Sequence, residues 1–180
     1  MNNIYYFIRH AHSSYTPDEI NRPLSDKGQA SLAQLEFLTD KSIAAIYSSP
    51  YRRAIQTVDP LAQSLKLAIQ TDKRLIERKL SSQAIADQDF EDALMKLWSR
   101  PTFSLVDGES NQQAQQRALA LLHELESKHQ NEEIIISSHG NLICILLSAF
   151  DSSIDYDFWR SLSMPDVLVL DKNEKITHLL

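Results

Sequence analysis

The sequence predicts an α/β fold, a three-layer α/β/α domain with a mostly parallel central sheet, and three observations carry that prediction. Short β-branched or aromatic runs at 4–8, 43–47 and 133–137 alternate with longer stretches of helical periodicity. The run Ile134-Ile135-Ile136 is apolar at every position, as a strand covered on both faces must be. All 180 residues pass without an internal repeat or low-complexity linker, a length that suits one domain over 1–180. Strands alternating with helices place helices on both faces of the sheet, and such sheets collect ligands at the carboxyl ends of their strands.

Each element follows from its local pattern. Residues 4–8 form the first strand. Leu32, Leu35 and Leu38, with Ala33, share one helical face behind Ser25, whose hydroxyl suits an N-cap. Residues 43–47 form the second strand, closed by Ser48-Ser49-Pro50, and a helix over 51–65 follows with Pro50 near its first turn. Residues 67–70 read as a weak third strand. A helix over 84–98 offers Leu94, Leu97 and Trp98 to the core and is stopped by Pro101; Trp98 and Phe90 are expected in the core rather than on a lid. Ala114, Ala118, Leu121, Leu122 and Leu125 mark an amphipathic helix. The Ile-rich strand is then followed by a helix over 140–150, a strand at 167–170 and an edge at 176–180.

Composition removes several classes of function. The chain is 43% hydrophobic and 23% charged, which excludes a disordered chain. A net charge of −6 argues against nucleic acid as a partner, although a basic pocket can sit inside an acidic protein. Cys144 is the one cysteine, lies in an apolar run and is expected to be buried. The start of the chain does not read as a signal peptide, and no stretch approaches the ~20 apolar residues of a membrane span. A cytoplasmic protein with no membrane partner is the expectation.

Three strand ends carry residues suited to chemistry. The first ends in Arg9-His10-Ala11-His12-Ser13. The second ends in Ser48-Ser49-Pro50-Tyr51-Arg52-Arg53-Ala54-Ile55-Gln56-Thr57, and the Ile-rich strand ends in Ser138-His139-Gly140-Asn141. The predicted sheet brings two histidines and at least two arginines to one crevice. Neutral imidazole is a competent nucleophile and guanidinium forks match phosphate oxygens.

These segments, with Pro23-Leu24-Ser25-Asp26-Lys27-Gly28-Gln29-Ala30, resemble the histidine phosphatase superfamily, which includes the phosphoglycerate mutases and many small phosphatases. The resemblance spans nearly the whole chain and implies a phosphoglycerate mutase-like fold. It implies that His10 is the nucleophile, that Arg9, Arg52 and His139 hold phosphate oxygens with Asn141 beside them, and that Glu77 in Leu75-Ile76-Glu77-Arg78 is the general acid. Glu109 in Gly108-Glu109-Ser110 is expected to cap the next helix and is the alternative acid. The resemblance implies no cofactor and no metal, and a small phosphorylated substrate as partner. The chain departs from the family at Ala11, His12 and Lys79-Leu80-Ser81, where the family has glycine, glutamate and a glycine-containing segment.

The bland readings divide the remaining residues. Arg53 is expected to be a surface ion-pair residue, His123 and His129 to be solvated, and His12 to lie on the pocket rim or the surface. His10-Ala11-His12 also suggests a metal hydrolase, but that class needs further His and Asp ligands where this chain has arginines. The expected activity is a phosphomonoesterase working through a phosphohistidine on His10. The alternatives are a mutase, a phosphohistidine-protein phosphatase and a phosphate-binding signalling module. His139 follows Glu77 by only 62 residues, a short span that favours phosphatase over mutase. The substrate stays open among a sugar phosphate, a phosphoglycerate, a nucleotide-loop phosphate and a phosphoprotein.

Overall fold

The computed structural model describes residues 1–180 apart from the side chain of Asp87. A six-stranded sheet forms its centre, with β1 (Ile4–Arg9), β2 (Ile43–Ser48), β3 (Ile69–Thr71), β4 (Glu133–Ser138), β5 (Asp166–Leu170) and β6 (Ile176–His178) in the order β3-β2-β4-β1-β5-β6. The first four strands are parallel where they pair, and β5 and β6 run antiparallel to their neighbours.

Period-two alternation along the strands builds two cores. Tyr5, Phe7, Ile134, Ile136 and Leu168 face α4 (Asn111–Lys128) and α5 (Gly140–Leu147). Tyr6, Ile8, Ile46, Ile135 and Val167 face the other way, onto α2 (Arg52–Leu65) and a 3-10 segment at Leu32–Asp40. Both faces of β4 are therefore spent on burial, and each fully buried isoleucine contributes roughly 1.5–3 kcal/mol. Cys144 is buried in the first of these cores.

Local chemistry corrects several expected boundaries. Ser25 does cap α1 (Asp26–Ser31), accepting from Gly28 N–H, but the chain then tightens into the 3-10 segment. Leu32, Leu35 and Leu38 are spaced by three, so they stack in a 3-10 helix, and Ala33 turns outward into solvent. The third strand begins at Ile69 rather than at Leu67 because α2 claims the intervening residues for its end. Lys66 adopts a left-handed φ of 57°, and Leu67 N–H closes on Ala62 O at 2.9 Å. Helix α3 (Asp87–Ser99) buries Leu94 and Leu97, whereas Phe90 is 41% exposed and not in the core. A short helix, α6 (Tyr156–Ser161) capped by Asp155, stands in a stretch without a recognisable period.

Candidate active site

The parallel ladder ends in step. Arg9 pairs with Ser138 and Ser48 with Ser137, so β1, β2 and β4 finish at nearly the same level. The ladder extends one residue further, since His10 N–H donates to Ser138 O at 3.0 Å and Ser49 N–H to Ser137 O at 2.8 Å. His10, Ser49 and His139 thus lie side by side, and the two imidazole centroids stand 5.1 Å apart, edge to face.

The hydrogen bonds fix both tautomers. His10 Nδ1 lies 2.8 Å from Ala11 O, which can only accept, so Nδ1 carries the proton and Nε2 carries the lone pair. Arg53 Nε donates to that Nε2 at 3.1 Å. Arg53 Nη2 lies 3.3 Å from His139 Nδ1, so His139 accepts there and donates from Nε2 to Ser49 Oγ at 2.9 Å. Thr57 Oγ1 accepts from Ala11 N–H at 3.0 Å, and Gln56 Oε1 accepts from Leu24 N–H at 2.9 Å. The end of the second motif therefore pins the backbone that follows the nucleophile candidate.

Arg53, not Arg52, occupies the site, and it is not the surface ion-pair residue expected of it. Arg52 is exposed, while Arg53 is 3% exposed. One helical residue turns the side chain by about 100°. The buried face of α2 runs through Arg53, Ala54, Thr57, Val58, Leu61 and Ala62, and Arg52 falls off it. The signal was present in the sequence: Arg53 is in helical register with Thr57 and Leu61, and it is the arginine directly before Ala54 in the motif.

Arg9 anchors the opposite wall. Its Nη1 donates to Leu162 O at 2.8 Å, and its buried Nε has no partner. The guanidinium passes so close to α5 that a Cβ on Gly140 would stand 2.8 Å from Arg9 Nε, so any side chain there would have to push Arg9 aside.

Glu77 caps α5. Its Oε1 accepts from Arg78 N–H at 2.8 Å and Leu142 N–H at 3.1 Å, and its Oε2 accepts from Asn141 N–H at 3.3 Å. The carboxylate thereby occupies the anion-attracting helix end. Burial nevertheless raises its pKa above the usual glutamate value, against these donors and the charge of Arg78. Ser138 Oγ donates to Leu75 O at 2.7 Å, which ties the Glu77 segment to the end of β4. Arg78 is itself 3% exposed, and its three guanidinium nitrogens have no hydrogen-bond partner.

The Asn141 side chain is held through its oxygen. Its Oδ1 accepts from Trp98 Nε1 at 3.2 Å, and only its backbone N–H reaches into the site, to Glu77. Glu109 neither caps the helix nor stands free as an acid. Ser110 and Gln113 form the capping box, and Glu109 is held in a two-pronged pair with Arg117 at 2.6 and 2.8 Å. Arg117 also donates to Arg74 O and Ile76 O, so this pair fixes the approach to Glu77. His12 Nδ1 contacts Ser25 Oγ at 2.7 Å. His123 is exposed as expected, but His129 is not solvated: it bridges Tyr47 Oη at 3.0 Å and Glu132 at 2.5 Å. No cluster of metal-ligating side chains occurs among the described residues, and no helix is long and apolar enough to cross a membrane.

Burial, reinforced by Arg53, Arg9 and Arg22, lowers the His10 pKa to about 3, and burial beside His10 lowers that of His139 as well. A folded pKa below the unfolded 6.5 means that unfolding takes up protons between those values. The stabilising effect is complete above pH 6.5 and is lost as pH falls toward 3. The free energy of unfolding in urea should therefore fall by on the order of 1–2 kcal/mol through His10 as the pH drops from 7 to 5. His10→Gln should lessen that dependence and leave the part that His139 contributes. A His10 ring that titrates near 6.5 by NMR in the folded protein would contradict the burial argument.

Known proteins bear on this geometry. The family description of the histidine phosphatase superfamily, branch 1, matches residues 5–171. A protein of Hydrogenobacter thermophilus named as a phosphoserine phosphatase is 29% identical over 159 residues, covering 78% of this chain and 77% of its own. The phosphoglycerate mutase-like protein 4 of Arabidopsis thaliana is 26% identical over 151 residues, 76% of this chain and 66% of its own. In structure, a mycobacterial glucosyl-3-phosphoglycerate phosphatase complexed with VO3 superposes with a TM-score of 0.80 at 22% identity, covering 98% of this chain and 97% of that one. With paired histidines and a buried arginine at the carboxyl end of a phosphoglycerate mutase-like sheet, and a family match across nearly its whole length, the chain belongs to the histidine phosphatase superfamily.

Proposed function

We propose that the protein is a phosphomonoesterase acting on small phosphorylated metabolites through a phosphohistidine on His10. The observation that carries this reading is the unprotonated His10 Nε2 held against Arg53 Nε at 3.1 Å, with His139 on the same guanidinium. A nucleophile must be neutral and positioned, and the low His10 pKa keeps it neutral across the physiological range.

The reaction follows from the placement of the groups. Arg53 Nε–H turns from His10 Nε2 to a phosphoryl oxygen, and the freed Nε2 lone pair attacks phosphorus while the bond from phosphorus to the ester oxygen breaks. The Glu77 carboxyl gives its proton to that oxygen, and its raised pKa suits it to hold one. Arg53 and Arg9 stabilise the charge on the transferring oxygens, and His139 helps to orient Arg53. Water then attacks phosphorus, Glu77 takes the proton, and the P–N bond returns its electrons to Nε2.

A cavity of about 360 Å3 lined by Tyr51, Glu77, Arg78, Lys79 and Ser81 lies where the leaving group would sit. Its size supports a small leaving group. Arg78 supports one that brings its own accepting oxygen, since nothing in the protein pairs with that guanidinium. The relatives named for phosphoserine and phosphoglycerate are consistent with that chemistry. A metal hydrolase is opposed by the guanidinium groups lining the crevice.

Two experiments test the assignment. Arg53→Ala should lower kcat/KM for a phosphomonoester by about 10²–10³-fold, the usual loss for a preorganised donor, while Arg52→Ala stays within about twofold. Equal effects of the two changes would remove Arg53 from the phosphate site. Glu77→Gln should slow an alkyl phosphate about 10²–10⁴-fold more than p-nitrophenyl phosphate, whose phenolate leaves without a proton. Equal losses on both substrates would take Glu77 out of proton transfer.

A further inference from the structure

Two nitrogens of Arg53 face the histidines, and the third meets an anion supplied by the chain itself. Arg53 Nη1 donates to Glu19 O at 2.7 Å and lies 3.5 Å from Glu19 Oε2. The same Oε2 stands 2.7 Å from Arg22 Nη2. One carboxylate oxygen thus joins two guanidinium groups at the mouth of the site. Glu19 also lines the cavity that holds Glu77 and Arg78.

Arg22 is the less obvious partner. Its side chain is only 19% exposed, its Nε is buried without a partner, and its guanidinium packs 5.0 Å from the Tyr15 ring. Its charge reaches the pocket, since it disfavours protonation of both His10 and His139. Both residues ride on the excursion between Ser14 and Pro23. Its ends are closed by Ser14 N–H to Pro23 O at 3.0 Å and by the bridge from Ser13 to Leu24. Its middle is tethered to α2 by Arg52 N–H to Ile20 O at 2.9 Å. The backbone is held, while the Glu19 side chain is half exposed to water.

A carboxylate between two guanidinium groups is chemically a weak copy of a phosphoryl group. We infer that Glu19 is a built-in competitor for the phosphoryl group: its carboxylate holds Arg22 and Arg53 until a phosphoryl oxygen displaces it, and Arg22 then joins Arg53 as a phosphoryl ligand. This rests on the phosphate site proposed above. The phosphoryl dianion wins because it carries more charge and a third terminal oxygen for Arg9. Leaving the bridge also clears Glu19 from the leaving-group cavity.

Binding of inorganic phosphate, measured by calorimetry, tests this without relying on turnover. Glu19→Gln removes the competing charge and should tighten phosphate roughly three- to tenfold, the range expected of an ion pair half exposed to water. Adding Arg22→Ala to Glu19→Gln should weaken phosphate about tenfold, because the freed ligand is then lost. In the Arg22→Ala background, the gain from Glu19→Gln should shrink to less than half, since the two side chains act through one bridge. An unchanged affinity in Glu19→Gln, or an equal gain with and without Arg22, would overturn the competitor role. No cost of Arg22→Ala in the Glu19→Gln protein would overturn Arg22 as a ligand. Failure of phosphate to bind any variant would instead overturn the phosphate site itself, and this inference with it.

Discussion

A single buried guanidinium organises the site: Arg53 donates to His10 Nε2, to His139 Nδ1 and to Glu19 O, and each acceptor comes from a different segment of the chain. The arrangement works only while both histidines are neutral, because an imidazolium has no lone pair to accept. Arginine cannot give up its charge in compensation. The charge of Arg53 and the neutrality of the histidines are therefore one condition. The rest of the fold serves it. Coterminal β1, β2 and β4 bring the rings together, α2 turns Arg53 inward, and the closed backbone around Thr57 and Ala11 stops the nucleophile candidate from drifting.

The same logic explains where stability is given up. Arg9 Nε and all three nitrogens of Arg78 are buried without acceptors, an arrangement that costs free energy unless something supplies them. Two hydrophobic cores, one on either face of β4, offset that cost. A cationic site with unpaired buried donors is one that an anion would complete. The carboxylate of Glu77 satisfies the α5 terminus, and burial raises its pKa there.

Much of this was legible in the sequence, and what was not has identifiable causes. The strand ends placed His10 and His139 together because parallel strands finish in step, a property of topology that spacing reveals. The choice between Arg52 and Arg53 needed the phase of a helix, which the Thr57 and Leu61 positions encode and the motif alone blurs. Glu109 was misread because it makes a bond no sequence pattern announces, to Arg117, 8 residues away in the chain. The 3-10 segment was hidden by a spacing of three that also fits one face of an α-helix. Helix α6 left no trace because six residues are too few to show a period. Glu19 and Arg22 lie in a loop without periodicity, so only the folded geometry reveals that their charges meet at Arg53.

The central claim is that His10 Nε2 takes the phosphoryl group, and trapping that bond is its most direct test. Rapid acid-free quenching during turnover of a 32P-labelled phosphomonoester, followed by peptide mapping and assignment of the ring nitrogen, reads it. The account predicts a base-stable, acid-labile phosphate on His10, attached at Nε2 and absent from His10→Ala. Phosphate attached at another residue, or labelling that survives in His10→Ala, would contradict it.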